Sequence, residues 1–157
     1  MIKVNDKLPQ GELQQLLDGS VISHSSSDLF NGKKVVIFAL PGAFTPTCSA
    51  AHLPGFVVNS ETIKAKGVDS IICLSVNDAF VMAAWGQAQN AEQLMMLGDG
   101  DGSFTKAMGL GKDTGSFGGY RSVRYAMIVE DGVVTSLQVE QPKEFKVSSA
   151  ESILALL

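Results

Sequence analysis

Six consecutive apolar residues, Val35-Val36-Ile37-Phe38-Ala39-Leu40, stand a few residues after the turn signal Asn31-Gly32. A run this short and this rich in β-branched residues reads as a buried strand. Directly behind it comes a Pro/Gly/Thr loop, Pro41–Thr47, and a second amphipathic segment opens at Cys48. A buried strand that hands over to a helix through a short loop is the unit from which α/β sheets are built.

The rest of the chain repeats the unit. From Cys48 to about Lys66 the periodicity predicts a helix, with Gly67 as its stop and Pro54 as a kink or broken first turn. Residues 70–76 read as a second buried strand, and Asn77 or Asp78 caps a helix running to about Gln89. A short apolar strand is expected near Leu94–Leu97, followed by a Gly/Asp loop and a short helix from about Ser103. Residues 124–129 and 133–139 pair as a hairpin across Asp131-Gly132, a favoured two-residue turn. The last dozen residues, from about Ser148, read as a terminal helix. Residues 20–28, rich in serine, read as a polar loop. The order β, α, β, α, β, α, β-β, α implies a central mixed sheet flanked by helices. The strand–helix units require parallel pairing and the hairpin adds antiparallel strands, which is the thioredoxin-like layout. The length of 157 residues suits a single such domain, with no repeat and no linker.

Charge narrows the partners. Twelve basic against sixteen acidic residues leave a net charge of −4, and the basic ones are scattered. Nucleic acid and anionic membrane surfaces are not expected partners. No apolar run approaches the roughly 18 residues of a membrane span, and the first residues lack a secretory or transit pattern; a cytoplasmic location is the default expectation. The two cysteines, Cys48 and Cys73, are too few for a disulfide framework and too far apart for a Cys-x-x-Cys motif. With His24 and His52 they make no paired metal-ligand spacing, so no metal is expected. Asp99-Gly100-Asp101-Gly102-Ser103 only superficially matches a calcium loop, because Phe104 stands where the turn glycine belongs and Leu110 where the bidentate glutamate belongs. It reads as a turn into a helix.

What remains is Cys48. A thiol placed where a strand hands over to a helix faces unpaired backbone N–H groups, which favour the thiolate, the form that attacks. The plain alternative is a small buried hydrophobe. Thr45 before Pro46 is in any case a good helix-entry pair. His52 follows Cys48 by one turn; a Cys–His ion pair and a supporting polar contact at the pocket edge are the two readings, with the second favoured.

The residues Pro41, Thr45 and Cys48 match the Pro-x-x-x-Thr-x-x-Cys signature of peroxiredoxins. The block Pro41-Gly42-Ala43-Phe44-Thr45-Pro46-Thr47-Cys48, continued to Phe56, resembles their type II branch, the group with human peroxiredoxin five. Val76–Met82 with Trp85-Gly86, and Arg124–Val129 with Asp131-Gly132, extend the resemblance over nearly the whole chain. The resemblance implies a thiol peroxidase in which Cys48 attacks the O–O bond of hydrogen peroxide or an alkyl hydroperoxide and becomes a sulfenic acid. Thr45 is then expected to accept from the peroxide and donate to the sulfur. Arg124 brings a permanently charged fork of donors to the same atoms, an effect on the order of 3 kcal/mol per donor, with Arg121 assisting from behind. Pro41 roofs the pocket without adding a donor, and Gly42, Phe44, His52 and Phe117 belong to its surroundings, the two phenylalanines as apolar lining or subunit contacts.

The resemblance also bears on turnover. Some members of the branch carry a resolving cysteine a few residues before the last helix, whereas here Lys143–Ala150 has none. Cys73 sits mid-strand between Ile72 and Leu74, where a cysteine is ordinarily inert. The expected cycle is therefore a one-cysteine cycle. It needs no bound cofactor, and an external thiol such as glutathione, with glutaredoxin, or thioredoxin re-reduces Cys48. Bacterial relatives carry a fused glutaredoxin domain that this chain lacks. A homodimer is expected from the family habit. A redox sensor or binding module whose Cys48 oxidation switches a partner contact is the alternative from another class, with a holdase as the third.

Overall fold

The structure is a computed structural model describing every residue from Met1 to Leu157. Its frame is a seven-stranded sheet. The strands in chain order are β1 (Glu12–Leu17), β2 (Ser20–Ser25), β3 (Lys34–Ala39), β4 (Ser70–Ser75), β5 (Met95–Gly98), and, after a small separate hairpin of β6 (Gly111–Asp113) with β7 (Tyr120–Ser122), β8 (Tyr125–Glu130) and β9 (Val133–Val139). Across the sheet they lie in the order β2-β1-β5-β4-β3-β8-β9. As expected, β3 pairs parallel with β4, and β4 with β5, while β8 runs antiparallel between β3 and β9.

Alternation along the central strands divides the core in two. Val36, Phe38, Ile71, Cys73, Ala126 and Ile128 point to one face. Val35, Ile37, Ile72, Leu74, Met127 and Val129 point to the other. Both sets are shielded from solvent, so these strands are apolar throughout rather than alternating, as a sheet covered on both faces requires.

The helices α1 (Ser26–Phe30), α2 (Leu53–Val58), α3 (Ser60–Ala65), α4 (Ala79–Ala88), α5 (Ser103–Met108) and α6 (Ala150–Leu154) flank this sheet. Of the two candidates at the head of α4, Asp78 is the cap: its Oδ1 accepts from Val81 N–H at 2.8 Å. Gly67, at φ +91°, follows the end of α3 as its stop. The acidic loop at 99–103 is a capping device. The buried Asp99 carboxylate takes the N–H groups of Phe104 and Thr105 at 3.2 and 2.7 Å, which leaves it committed to α5.

Two expectations are corrected. Residues 20–28 are not a loop: they form β2, paired with β1 along its full length, and then α1 capped by the Ser25 hydroxyl. The hairpin turn is Asp18-Gly19, both at positive φ, the same device used at Asp131-Gly132. Serine-rich β2 escapes notice because it is an edge strand with mostly exposed side chains and no apolar face to set a period. The long helix predicted from Cys48 to Lys66 is three pieces, a π-helical turn at Cys48–His52, then α2 and α3, parted at Asn59. Pro54 explains the first break. It has no N–H for the carbonyl one α-turn back and its ring crowds that carbonyl, while Leu53 N–H reaches back to Cys48 O in a wider turn. The hairpin β6–β7 was also not anticipated, being only three residues per strand.

Candidate active site

The carboxyl ends of β3 and β4 and the start of β8 converge on Cys48. Helical backbone begins at Pro46, where a missing N–H costs nothing, and Ser49 N–H bonds to Thr45 O at 2.9 Å. Cys48 therefore lies in the first turn, and the residue is 1% exposed. Arg124, the residue before β8, turns its guanidinium onto the site: Nη2 donates to the Cys48 sulfur at 3.1 Å and Nη1 to His52 Nδ1 at 2.8 Å. A permanent cation at hydrogen-bond distance stabilises negative charge on that sulfur.

His52 is the piece that aims the arginine. It is fully buried, among Phe38, Phe56 and Phe145. Its Nε2 lies 2.9 Å from Ser148 O. A carbonyl only accepts, so Nε2 carries the proton and Nδ1 is left as the acceptor for Arg124. Burial, and then the Arg124 charge, push His52 down to about 3, so the ring is neutral at physiological pH. The expected place at the pocket edge is corrected: His52 lies beneath the site, because both ring nitrogens are engaged by groups inside the fold.

Ser148 is itself held from behind. The Glu140 carboxylate collects the N–H groups of Lys146, Val147 and Ser148 and the Ser148 hydroxyl, all at 2.7–2.9 Å. Burial pushes this carboxyl up, but the four donors outweigh it and hold it below the usual range. Phe145 completes the layer, its ring 5.9 Å from the Arg124 guanidinium carbon. None of Glu140, Phe145 and Ser148 was foreseen as part of the site. They come from the loop after β9, which has no periodicity, 16 or more residues beyond Arg124.

The opposite wall is the 41–47 loop. Pro41 O accepts from Arg121 Nη1 at 3.1 Å, and Arg121 Nε donates to Gly118 O at 3.0 Å. Arg121 thus lies between two glycines: a Cβ on Gly42 would stand 2.5 Å from its Nη1, and one on Gly118 2.7 Å from its Nε. Asn77 Oδ1 receives Ala43 N–H at 3.0 Å and Ser75 hydroxyl at 2.7 Å, which ties the loop to the end of β4. The Thr45 hydroxyl donates to Gly42 O at 2.7 Å. Its one proton is therefore spent on the loop and not on the sulfur, a correction to its expected double role; its lone pairs remain for a donor.

Phe44 and Phe117 do not line the pocket. They are 57% and 86% exposed, Phe44 in a left-handed conformation with its ring 6.4 Å from that of Trp85. The cavity beside the site, about 320 Å³, is bordered instead by Pro41, Thr47, Arg124, Lys112, Lys143 and Phe145. Cys73 is fully buried in β4, and burial, then the proximity of Cys48, push its thiol well up.

The chain matches the Redoxin family model over residues 3–154. It is 45% identical to Peroxiredoxin-2B of Arabidopsis thaliana, with 99% of this chain and 98% of that protein covered. Among solved structures it superposes on reduced Prx3 of Vibrio vulnificus in complex with H2O2 at a TM-score of 0.97, with 61% identity over 99% of both chains. On peroxiredoxin 5 of Alvinella pompejana it superposes at 0.87, with 33% identity over 99% of this chain and 97% of that one. A thioredoxin-like sheet, a buried cysteine under an arginine and full-length likeness to these proteins lead to one result: the chain belongs to the peroxiredoxins, in their type II branch, and is a thiol peroxidase.

Proposed function

We propose that Cys48 is the peroxide-reacting thiol and that Arg124, Thr45 and Pro41 form its catalytic surroundings. The contact that carries this reading is the 3.1 Å approach of Arg124 Nη2 to the sulfur. The Cys48 thiolate attacks the nearer peroxide oxygen, the S–O bond forms as the O–O bond breaks, and the hydroxyl stays on sulfur as Cys48 sulfenic acid. The electron pair leaves with the far oxygen, which takes up a proton to become water or an alcohol. Arg124 faces the charge that grows on both oxygens, and the free lone pairs of Thr45 accept from the peroxide proton.

Reduction then falls to an external thiol. The buried position of Cys73 and the absence of cysteine from 143–150 favour a one-cysteine cycle over an internal disulfide. Glutathione acting with glutaredoxin is the proposed reductant, and thioredoxin is the other thiol system to be compared. The working unit is a homodimer in this reading, supported by the exposed Phe44 and Phe117 on loops flanking the site. No helix is long and apolar enough to cross a membrane.

Steady-state peroxide consumption with glutathione and glutaredoxin, and separately with thioredoxin, tests the cycle. Cys48→Ser abolishes turnover, and Cys73→Ala keeps most of it. Complete loss in a folded Cys73→Ala protein would falsify the one-cysteine reading. Consumption of a single equivalent of peroxide with every thiol would instead favour a redox sensor.

A further inference from the structure

The cavity beside Cys48 is much larger than the smallest oxidant requires. It encloses about 320 Å³, whereas a water occupies roughly 30 Å³ in the liquid and hydrogen peroxide adds one oxygen. Its lining includes Pro41, Thr47 and Arg124, the arginine whose Nη2 donates to the Cys48 sulfur. Lys112 of β6, Lys143 and Phe145 line the same cavity. The space that Arg124 shares with the two lysines has room for an organic body.

The charges facing this space do not cancel. Arg124 turns its guanidinium to Cys48 and His52. Of the two bordering carboxylates, Glu140 is consumed by the donors of residues 146–148, and Glu144 pairs with Lys146 at 3.5 Å. Lys112 and Lys143 are exposed, and neither has a carboxylate within ion-pair distance. On a chain of net charge −4 this leaves a local excess of positive charge at the mouth of the site.

The backbone adds an independent sign. Pro142 and Lys143 are the centre of a turn closed by Glu144 N–H on Gln141 O at 3.0 Å. Lys143 sits at φ +65°, the second central position, where a turn behind proline favours glycine or asparagine. A lysine stands there against the preference of the turn, and it lines the cavity.

Building on the reading of Cys48 as the peroxide-reacting thiol, we propose that Lys112 and Lys143 form a carboxylate subsite at the cavity mouth. The subsite gives the enzyme a preference for an organic co-substrate that carries a carboxylate a few bonds from its reactive end. Two sources have this chemistry. An acidic thiol would meet the sulfenic acid, forming the Cys48–S–S–R bond and releasing the hydroxyl with a proton as water; a second thiol then releases Cys48 and leaves with R as a disulfide. An acidic hydroperoxide would transfer its terminal hydroxyl to the sulfur and depart as the alcohol.

Matched pairs separate these sources. Full-length protein is oxidised with one equivalent of hydrogen peroxide, and the rate at which Cys48 sulfenic acid is consumed is compared for glutathione and its dimethyl ester. Oxidation of the reduced protein is compared for a carboxylate-bearing alkyl hydroperoxide and its methyl ester. A preference for the acid of about five- to tenfold at low salt, shrinking as salt rises, is expected in at least one pair. It falls to near one in the Lys112→Gln/Lys143→Gln variant. Preference in the thiol pair assigns the subsite to the reductant, and preference in the hydroperoxide pair assigns it to the oxidant. Equal rates for acid and ester in both pairs overturn the proposal, as does a preference that survives in the double variant. Failure of the underlying reading looks different: hydrogen peroxide alone then leaves the mass of the Cys48 peptide unchanged, and the subsite falls with it.

Discussion

His52 accepts a hydrogen bond from Arg124 at 2.8 Å, across 72 residues of chain. The bond fixes one arm of the guanidinium so that the other arm meets the Cys48 sulfur. A guanidinium is suited to this because its donors are set in a rigid planar fork; an ammonium presents a single point of charge. The aim of the arginine thus depends on a neutral imidazole, and the imidazole on the Ser148 carbonyl that holds its other nitrogen.

Replacing the fork tests that geometry. Arg124→Lys keeps the charge but cannot serve Cys48 and His52 together, and Arg124→Gln removes the charge as well. The second-order rate of Cys48 oxidation by hydrogen peroxide, followed by stopped flow, is expected to fall at least 100-fold in Arg124→Lys and further in Arg124→Gln. A lysine variant with the native rate would show that charge alone suffices.

The neutral histidine makes a pH prediction with a definite sign. Unfolded, His52 takes up a proton as the pH falls past 6.5; folded, it resists protonation down to about 3. Between those values the unfolded chain binds more protons. The contribution of His52 to stability is therefore full above about pH 6.5 and is lost progressively toward pH 3. The slope is at most about 1.4 kcal/mol per pH unit. His52→Gln, whose amide can both accept from Arg124 and donate to Ser148, removes this slope. Urea denaturation of both proteins from pH 4 to 7 measures the difference; parallel curves would contradict the buried neutral ring.

Glu140 acts one step further back. In Glu140→Gln the amide keeps one acceptor oxygen for the four donors the carboxylate now gathers. The cost to stability is expected to be about 1–3 kcal/mol. Release of the 146–148 segment also frees the Ser148 carbonyl, so the rate of Cys48 oxidation drops about tenfold in protein that is still folded. Crystallography of the variant would show the His52 ring or Arg124 displaced. An unmoved pair with a native rate would leave Glu140 a purely structural role.

Exposed Phe117 and Phe44 provide the test of assembly. Phe117→Glu places a charge on a ring that is 86% exposed in the single chain and so leaves the fold intact. If that face joins two copies, sedimentation equilibrium shows the dimer dissociation constant rising at least tenfold, since a charge buried at an interface without a partner is costly. An unchanged mass distribution removes Phe117 from the interface.

How much of this was legible in the chain follows a physical pattern. Strands β3, β4 and β8 were readable because an uninterrupted apolar run can only be buried, and the turn at Asp131-Gly132 because its backbone demands positive φ. Strand β1 and the serine-rich β2 were missed, although Asp18-Gly19 carries the same turn chemistry, because an edge hairpin has no two-sided burial to betray it. The pieces of the Cys48–Lys66 helix were joined in error, since periodicity does not reveal that a proline has widened the turn before it. At the site, Cys48, Thr45 and Pro41 lie close together on one loop, and local spacing announces them; Arg124 came through its family motif.

The order of elements, the parallel core and the placement of a cysteine at a strand-to-helix junction are properties of the chain itself, because apolar period and turn chemistry act over a few neighbouring residues. The direction in which Arg124 points, the tautomer of His52, the commitment of the Thr45 proton to Gly42 and the gathering of residues 146–148 by Glu140 were settled only in three dimensions. Each depends on which donor meets which acceptor across a fold. A hydrogen bond has a strict geometry but no signature in sequence, so its partners become known only when the sheet has brought them within 3 Å.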